Sequence, residues 1–293
     1  MRALLSTATD PGDLANVSGG STPYRFDSIF HAEGFGARRL KRQRFKLMKE
    51  IDSHLQNLLA EGEEVEFISW GTEFSLAEHY FMGLWAQLIN RCALLCTNQR
   101  LLILQINSKR KVMDLKSQVR YQAIEKFAPG MLGALALVLR DGKKLMLTGI
   151  PRKDRKPMKA LIAGKLEAAR ADARGSGREN LCPHCGHRVV GYPDRCNRCA
   201  GPFKSGARAG WLSLVFPGLG DFYLGHRALG VVEMLGAAVA WGIVVVPSAL
   251  AATAEPGAYT EVAVLGGIVF AFVHGVDCWI TRRVGFKGIY PAE

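Results

Sequence analysis

The chain has 293 residues, room for two or three small domains, and a formal net charge of +12. Of its 38 Lys and Arg residues only Arg227, Arg282, Arg283 and Lys287 lie beyond Ala209, so a basic body precedes a tail with almost no cations. Four of the seven cysteines fall in two C-x-x-C pairs, a spacing that in a reducing compartment argues for metal and against a disulfide framework.

Residues 1–35 mix Gly, Ser, Thr, Asp and Pro with scattered aromatics and no sustained period, which predicts a disordered tail. Residues 36–60 predict a basic amphipathic helix, because Leu40, Leu47, Met48, Ile51, Leu55 and Leu58 recur at helical spacing. Its first half carries Arg38, Arg39, Lys41, Arg42, Arg44, Lys46 and Lys49. Such a face can lie on anionic lipid or accept an acidic partner. The plainer expectation is a helix packed on the next domain with its cations in solvent.

Residues 61–172 predict one α+β domain. Glu63–Ser69, Arg91–Cys96, Arg100–Ile106 and Lys111–Leu115 have strand character, and Gly133–Arg140 meets Lys144–Ile150 across Asp141-Gly142-Lys143, a hairpin signal. Pro157 then suits the first turn of a helix with Met158, Leu161, Ile162, Leu166 and Ala169 on one face. Consecutive antiparallel strands followed by one helix describe a bent sheet whose open end the helix closes. Cys92 and Cys96 share a strand face with no nucleophile spacing around them, and are expected as buried small hydrophobes.

The segments GEEVEFIS and CALLCTNQRLLILQ, with the Asp-Gly hairpin and the closing helix, resemble the bacterial pleckstrin-homology-like domains over roughly a third of the chain. The resemblance implies a binding scaffold rather than an enzyme. In relatives of that fold a basic loop between the first two strands binds phosphoinositides. Here that loop carries Glu73 and Glu78 and no Lys or Arg, so inositide specificity does not carry over. The turns Lys109-Arg110-Lys111 and Arg152-Lys153-Asp154-Arg155-Lys156 are left for non-specific attraction to headgroups. The aromatic-rich insertion His79–Asn90 is either a membrane-dipping loop or an extra helix over the sheet, and packing is the expected role.

A linker at 173–180 leads to a four-cysteine module at 181–204, where Cys182, Cys185, Cys196 and Cys199 have zinc-ribbon spacing. Each C-x-x-C turn presents two thiolates on one side, and so short a segment takes its folding energy from the metal. Structural zinc is the expected ligand, with iron or a dithiol redox pair as alternatives. His184 and His187 are not needed as ligands. The module is basic but lacks a stacking platform, so a docking knob or spacer is favoured over nucleic-acid binding.

Residues 209–285 predict a two-span membrane domain. Gly230–Ala252 and Glu261–Ile280 are each about 20 mostly apolar residues long, the length a bilayer core requires, and neither has a polar stripe. The loop between them has no Lys or Arg while both outer flanks do, so both ends face the cytoplasm of an inner membrane. The N-terminus is polar, so the hairpin is expected as a late-made anchor without a cleaved signal. PGLGDFYLG (Pro217–Gly225) resembles the two-helix TM-two family over about a quarter of the chain, a match that implies topology rather than chemistry. Trp211–Phe216 is expected as a half-inserted entry segment. Glu233, His274 and Asp277 form an expected intramembrane polar cluster, with Glu233 facing His274 or Arg227. Gly236, Gly242, Gly266 and Gly267 would permit close packing within the hairpin or between copies, and hence a homo-oligomer.

No phosphate-cradling Gly-Lys-Ser/Thr loop and no G-x-S-x-G turn is present in the sequence. The expected work is therefore binding. The chain would be a membrane-anchored adaptor that holds a protein partner or contacts anionic lipid through Arg38, Arg39, Lys41, Arg42, Lys109, Arg110, Lys111, Arg152 and Lys153. An accessory subunit of a transporter or channel and a membrane-tethered nucleic-acid binder are the rival readings.

Overall fold

The structure, a computed structural model, describes residues 23–55, 57–128, 134–169, 177–254 and 259–292. The chain forms two units, Met1–Val190 and Gly191–Glu293.

The first unit is built on one antiparallel sheet. Its strands are β1 (Val65–Glu73), β2 (Arg91–Thr97), β3 (Arg100–Ile106), β4 (Val112–Arg120), β5 (Ile124–Ala128), β6 (Leu135–Leu139), β7 (Lys144–Thr148), β8 (Arg178–Leu181) and β9 (Arg188–Val189), in the order β5-β6-β7-β1-β2-β3-β4-β8-β9. Its helices are α1 (Phe26–Ile29), α2 (Ala37–Leu55), α3 (Leu76–Met82), α4 (Leu84–Ile89) and α5 (Arg152–Ala169).

Strands β2 and β3 are apolar at almost every position because both faces of the sheet are covered. Ala93, Leu95, Leu102 and Leu104 face the apolar stripe of α2, with Phe45, Met48, Ile51 and Leu55. One residue out of phase, Leu94, Cys96, Leu101 and Ile103 face Met158 and Ile162 of α5. Cys92 and Cys96 are thus buried small hydrophobes on the α5 side, and burial pushes the Cys96 thiol up to about 12. The Asp-Gly hairpin forms between β6 and β7, with Gly142 at φ +80°, a conformation that favours glycine.

Several expectations need correction. The tail prediction fails from Pro23 onward: Tyr24 bridges Val65, its hydroxyl donates to Asp52 at 2.9 Å, and Ile29 is buried. Apolar Tyr24, Ile29 and Phe45 find one another across a gap that no local period reveals. Residues 1–22 lie outside the described residues. Helix α5 begins at Arg152, five residues before Pro157, because Asp154 in its first turn is drawn into the interior. The linker prediction fails for Arg178–Asn180, which pair as β8 with β4; the linker's residues 173–176 lie outside the described residues. The insertion after β1 forms α3 and α4, which bury Met82 and Ala86 but leave Leu76, Tyr80 and Leu84 74–80% exposed rather than packed on the sheet.

Arg44 departs most from the sequence reading, since a cation of the basic helix is completely buried. Its Nη2 donates to Asp154 Oδ1 at 2.6 Å and its Nη1 to the Ile29 carbonyl, while Ser69 Oγ donates to Asp154 Oδ2 at 2.6 Å. Arg38, Arg39 and Arg42 remain exposed, and Lys41 is half-buried. Lys153 donates to the backbone carbonyls of Glu33 and Phe35, so this expected headgroup contact is an internal tie. Arg152 stays exposed.

The second unit contains α6 (Gly206–Val215), α7 (Leu219–Leu224) and two long helices, α8 (Arg227–Leu250) and α9 (Tyr259–Gly285). Both long helices are long and apolar enough to cross a membrane. Only 17% and 11% of their most apolar windows are buried, unlike the core helices of a water-soluble fold. The chain after α9 returns to the exit of the cysteine module: Phe203 bridges Pro291, and the Lys204 N–H donates to the Tyr290 carbonyl at 2.8 Å. The two ends of the helical hairpin therefore lie together.

Replacing only Asp154 with Asn strands the Arg44 charge in the interior, and the first unit should lose about 3–5 kcal/mol of stability. A joint Arg44→Met, Asp154→Leu change should cost much less, as chemical-denaturation midpoints would show. Acid supplies a second expectation. Burial pushes the Glu63 carboxyl up, but hydrogen bonds from Arg100, the Ala60 N–H and Thr97 outweigh it and leave the pKa below the ordinary 4.5. The stability this group contributes is present above pH 4.5 and is lost as pH falls through the lower folded-state value. Glu63→Gln should flatten that part of the stability–pH curve.

Candidate metal centre and carboxylate cluster

The Cys182, Cys185, Cys196 and Cys199 sulfurs all lie within 4.8 Å of one another. A tetrahedron with metal–sulfur bonds of about 2.3 Å has edges of about 3.8 Å, so one ion fits among them. The donor set of four sulfurs is compatible with zinc, and the residues present suit such an ion. Backbone geometry explains the convergence. The Gly186 N–H donates to the Cys182 carbonyl at 2.9 Å, and the Ala200 N–H donates to the Cys196 carbonyl at 3.0 Å. Both closing residues are left-handed, at φ +69° and +56°.

The second closure falls on Ala200 rather than on the glycine that follows it, Gly201. Gly186 is required for a further reason: a Cβ there would sit 2.3 Å from the Asn57 carbonyl oxygen. The Arg198 N–H lies 3.4 Å from the Cys196 sulfur, and the Lys116 ammonium, donating to the Pro183 carbonyl, lies close to Cys182. Both offset thiolate charge. His184 is exposed and His187 half-buried, and neither joins the sulfur cluster.

In the second unit the expected trio of Glu233, His274 and Asp277 is not the one that forms. Asp221, Glu233 and Asp277 bring carboxylate oxygens within 4.8 Å of one another. His274 is used elsewhere. The Trp241 indole N–H donates to its Nε2 at 2.9 Å, and an indole N–H can only donate, so the proton lies on Nδ1 and points to the Leu214 carbonyl at 2.9 Å. Both members of this clasp occur in π-helical turns, Trp241–Val245 and Phe270–Gly275.

The glycines of PGLGDFYLG explain how Asp221 reaches the cluster. A Cβ at Gly218 would lie 2.2 Å from the Gly230 carbonyl oxygen, and one at Gly220 would lie 2.1 Å from that of Ala209. Backbone contact at these points brings α7 against α6 and α8. Thr281 then donates to Asp221 Oδ2 at 2.6 Å, and the Gly218 N–H donates to Asp277 Oδ2 at 2.9 Å. The Asp221 side chain points into the helix cluster. By contrast, a Cβ at Gly236, Gly242, Gly266 or Gly267 meets nothing within 4 Å, so these glycines mediate no close packing inside the hairpin.

A cleft of about 500 Å³ in the first unit is lined by Arg100, Arg120, Tyr121 and Lys165 among others. Its cations are engaged: Arg100 pairs with Glu63, Arg120 with Glu179 and Lys165 with Glu66.

The chain thus joins an antiparallel sheet flanked by helices to a four-cysteine cluster and two helices able to cross a membrane. No protein-family model matches it. No curated protein matches it either.

The cysteine cluster predicts one tightly held metal ion per chain. Cys182→Ser or Cys196→Ser should abolish it, as elemental analysis of the purified protein would show. Gly186→Ala keeps all four sulfurs but should cut metal retention sharply, whereas Ala200→Gly should retain it fully and relieve about 1 kcal/mol of backbone strain.

Proposed function

We propose that this chain is a membrane-anchored binding protein, not an enzyme, whose basic body engages anionic lipid on the cytoplasmic side of the inner membrane and holds a protein partner there. The carrying observation is one edge of the sheet. Thr72 pairs with Arg91, Cys92 with Gln105, and Ile106 with Val112. The register therefore puts the exit of β1, the start of β2, the exit of β3 and the start of β4 at the same end. From it project the α3–α4 hairpin, with Leu76, Tyr80, Phe81, Leu84 and Leu88 exposed, and the Lys109-Arg110-Lys111 turn. Arg110 stacks 4.1 Å over Trp70, with the charges of Arg91 and Arg39 near enough to lower its pKa further after burial.

Apolar side chains ringed by cations suit a lipid surface. The apolar groups enter the acyl boundary, and each cation adds about 1 kcal/mol of attraction to an anionic leaflet. The two apolar helices keep the body within reach of that leaflet. Few Lys and Arg near the spans, and those on their outer flanks, support placing both ends in the cytoplasm. The meander of strands followed by α5 supports the pleckstrin-homology-like reading, and the backbone contacts at Gly218 and Gly220 support the TM-two-like one. Zinc in the four-cysteine module serves as a structural ion, since no open ligand position is left by four thiolates.

In nanodiscs, amide exchange of residues 76–89 should be slower with anionic than with zwitterionic lipid. Lys109→Glu, Arg110→Glu and Lys111→Glu together should erase that difference. Equal exchange in both lipids would count against the reading.

A further inference from the structure

We propose that Asp221, Glu233 and Asp277 form a binding site for one hard divalent cation of the Mg2+, Mn2+ or Ca2+ class. Three carboxylates whose oxygens lie within 4.8 Å carry three negative charges if ionised. Among the described residues no ion pair involves any of them. Both ring nitrogens of His274, the nearest imidazole, are engaged by Trp241 and the Leu214 carbonyl, so it donates to none of the three carboxylates.

The hydrogen-bond inventory is also short. Thr281 serves Asp221 Oδ2, with Ser213 Oγ 3.1 Å from the Thr281 hydroxyl, and the Gly218 N–H and the Ser213 hydroxyl both lie against the Asp277 carboxylate. Asp221 is fully buried, yet its Oδ1 has no hydrogen-bond partner, and neither does the buried Glu233 Oε2. An orphaned buried carboxylate oxygen carries the full desolvation penalty. One proton shared between the two orphan oxygens would satisfy both but offset only one of the three charges. A cation placed among the three groups satisfies both orphans and offsets two of the three charges. All three donors are carboxylate oxygens, which select hard ions and disfavour the soft ions that the four thiolates prefer.

The site draws on three elements: Asp221 from α7, Glu233 from α8 and Asp277 from α9. A bound ion would lock the short helix α7 onto both long helices, so the packing of the hairpin would depend on cation supply. This inference stands on the carboxylate geometry and does not depend on lipid engagement by the sheet edge.

The test is a Mn2+ titration of the full chain in detergent, with the four-cysteine module left loaded, followed by the loss of the free-ion electron paramagnetic resonance signal. Mn2+ is chosen because it favours oxygen over sulfur. One equivalent should bind and be displaced by Ca2+ or Mg2+. Glu233→Gln and Asp277→Asn should each weaken binding at least about tenfold, with the metal of the cysteine module retained. Should a variant fail to fold, the wild-type protein still decides: saturating Mn2+ or Ca2+ should raise its Tm, and a chelator too weak to strip the thiolate site should reverse the rise. Absence of bound Mn2+, undiminished binding in the double variant, stabilisation by Na+ alone, or stabilisation by acid with no response to any cation would each overturn the proposal.

Discussion

The ion pair between Arg44 and Asp154 is the constraint on which the first unit depends. Both side chains are wholly out of water, and each isolated charge there would cost several kcal/mol. The arrangement is tolerable because the charges meet each other, the Ile29 carbonyl, the Ser69 hydroxyl and the face of Phe67, 4.8 Å from the guanidinium carbon. Those partners come from α1, α2, β1 and α5. Four elements separated in sequence thus have to be in place together, which gives the sheet a single arrangement of its two covering helices. The early start of α5 and the order seen from Pro23 onward both follow from this requirement.

A different constraint shapes the second unit. Here closeness of backbone replaces burial of apolar side chains, since the two long helices hide little of their apolar surface against one another. Gly206 and Gly285 touch, and Gly218 meets Gly230, at distances no Cβ allows. The glycines further along α8 and α9 have open space instead. Tight packing is therefore concentrated at the end of the hairpin that holds the three carboxylates, and the remainder presents side chains outward.

How much of this could be read in the sequence depends on the range of the forces involved. The two apolar helices, the Asp-Gly hairpin, the strands β2 and β3 and the four cysteines were legible because each is specified by a local period or spacing. Pairing of β8 with β4 was not legible, since Arg178–Leu181 has no alternation that distinguishes a short strand from a linker. Arg44 sits among six other cations of the same helix, and only the position of Asp154, 110 residues away, marks it as internal. Asp221 shows the same limit. Its neighbours announce a break in the helix, but only the packing of Gly218 and Gly220 turns its carboxylate toward Glu233 and Asp277. The exposed face of α3 and α4 misled because aromatic residues at helical spacing usually mean core.

The short ladder formed by Pro202–Lys204 with Tyr290–Ala292 carries a consequence for biogenesis. One side of this clasp precedes both long helices, and the other follows them. During synthesis the earlier side must wait, its amides served by water, until the second helix has left the ribosome. Completion of the clasp therefore reports that both helices have been made and folded back on each other, and a chain with the second helix missing would leave the earlier strand unpaired.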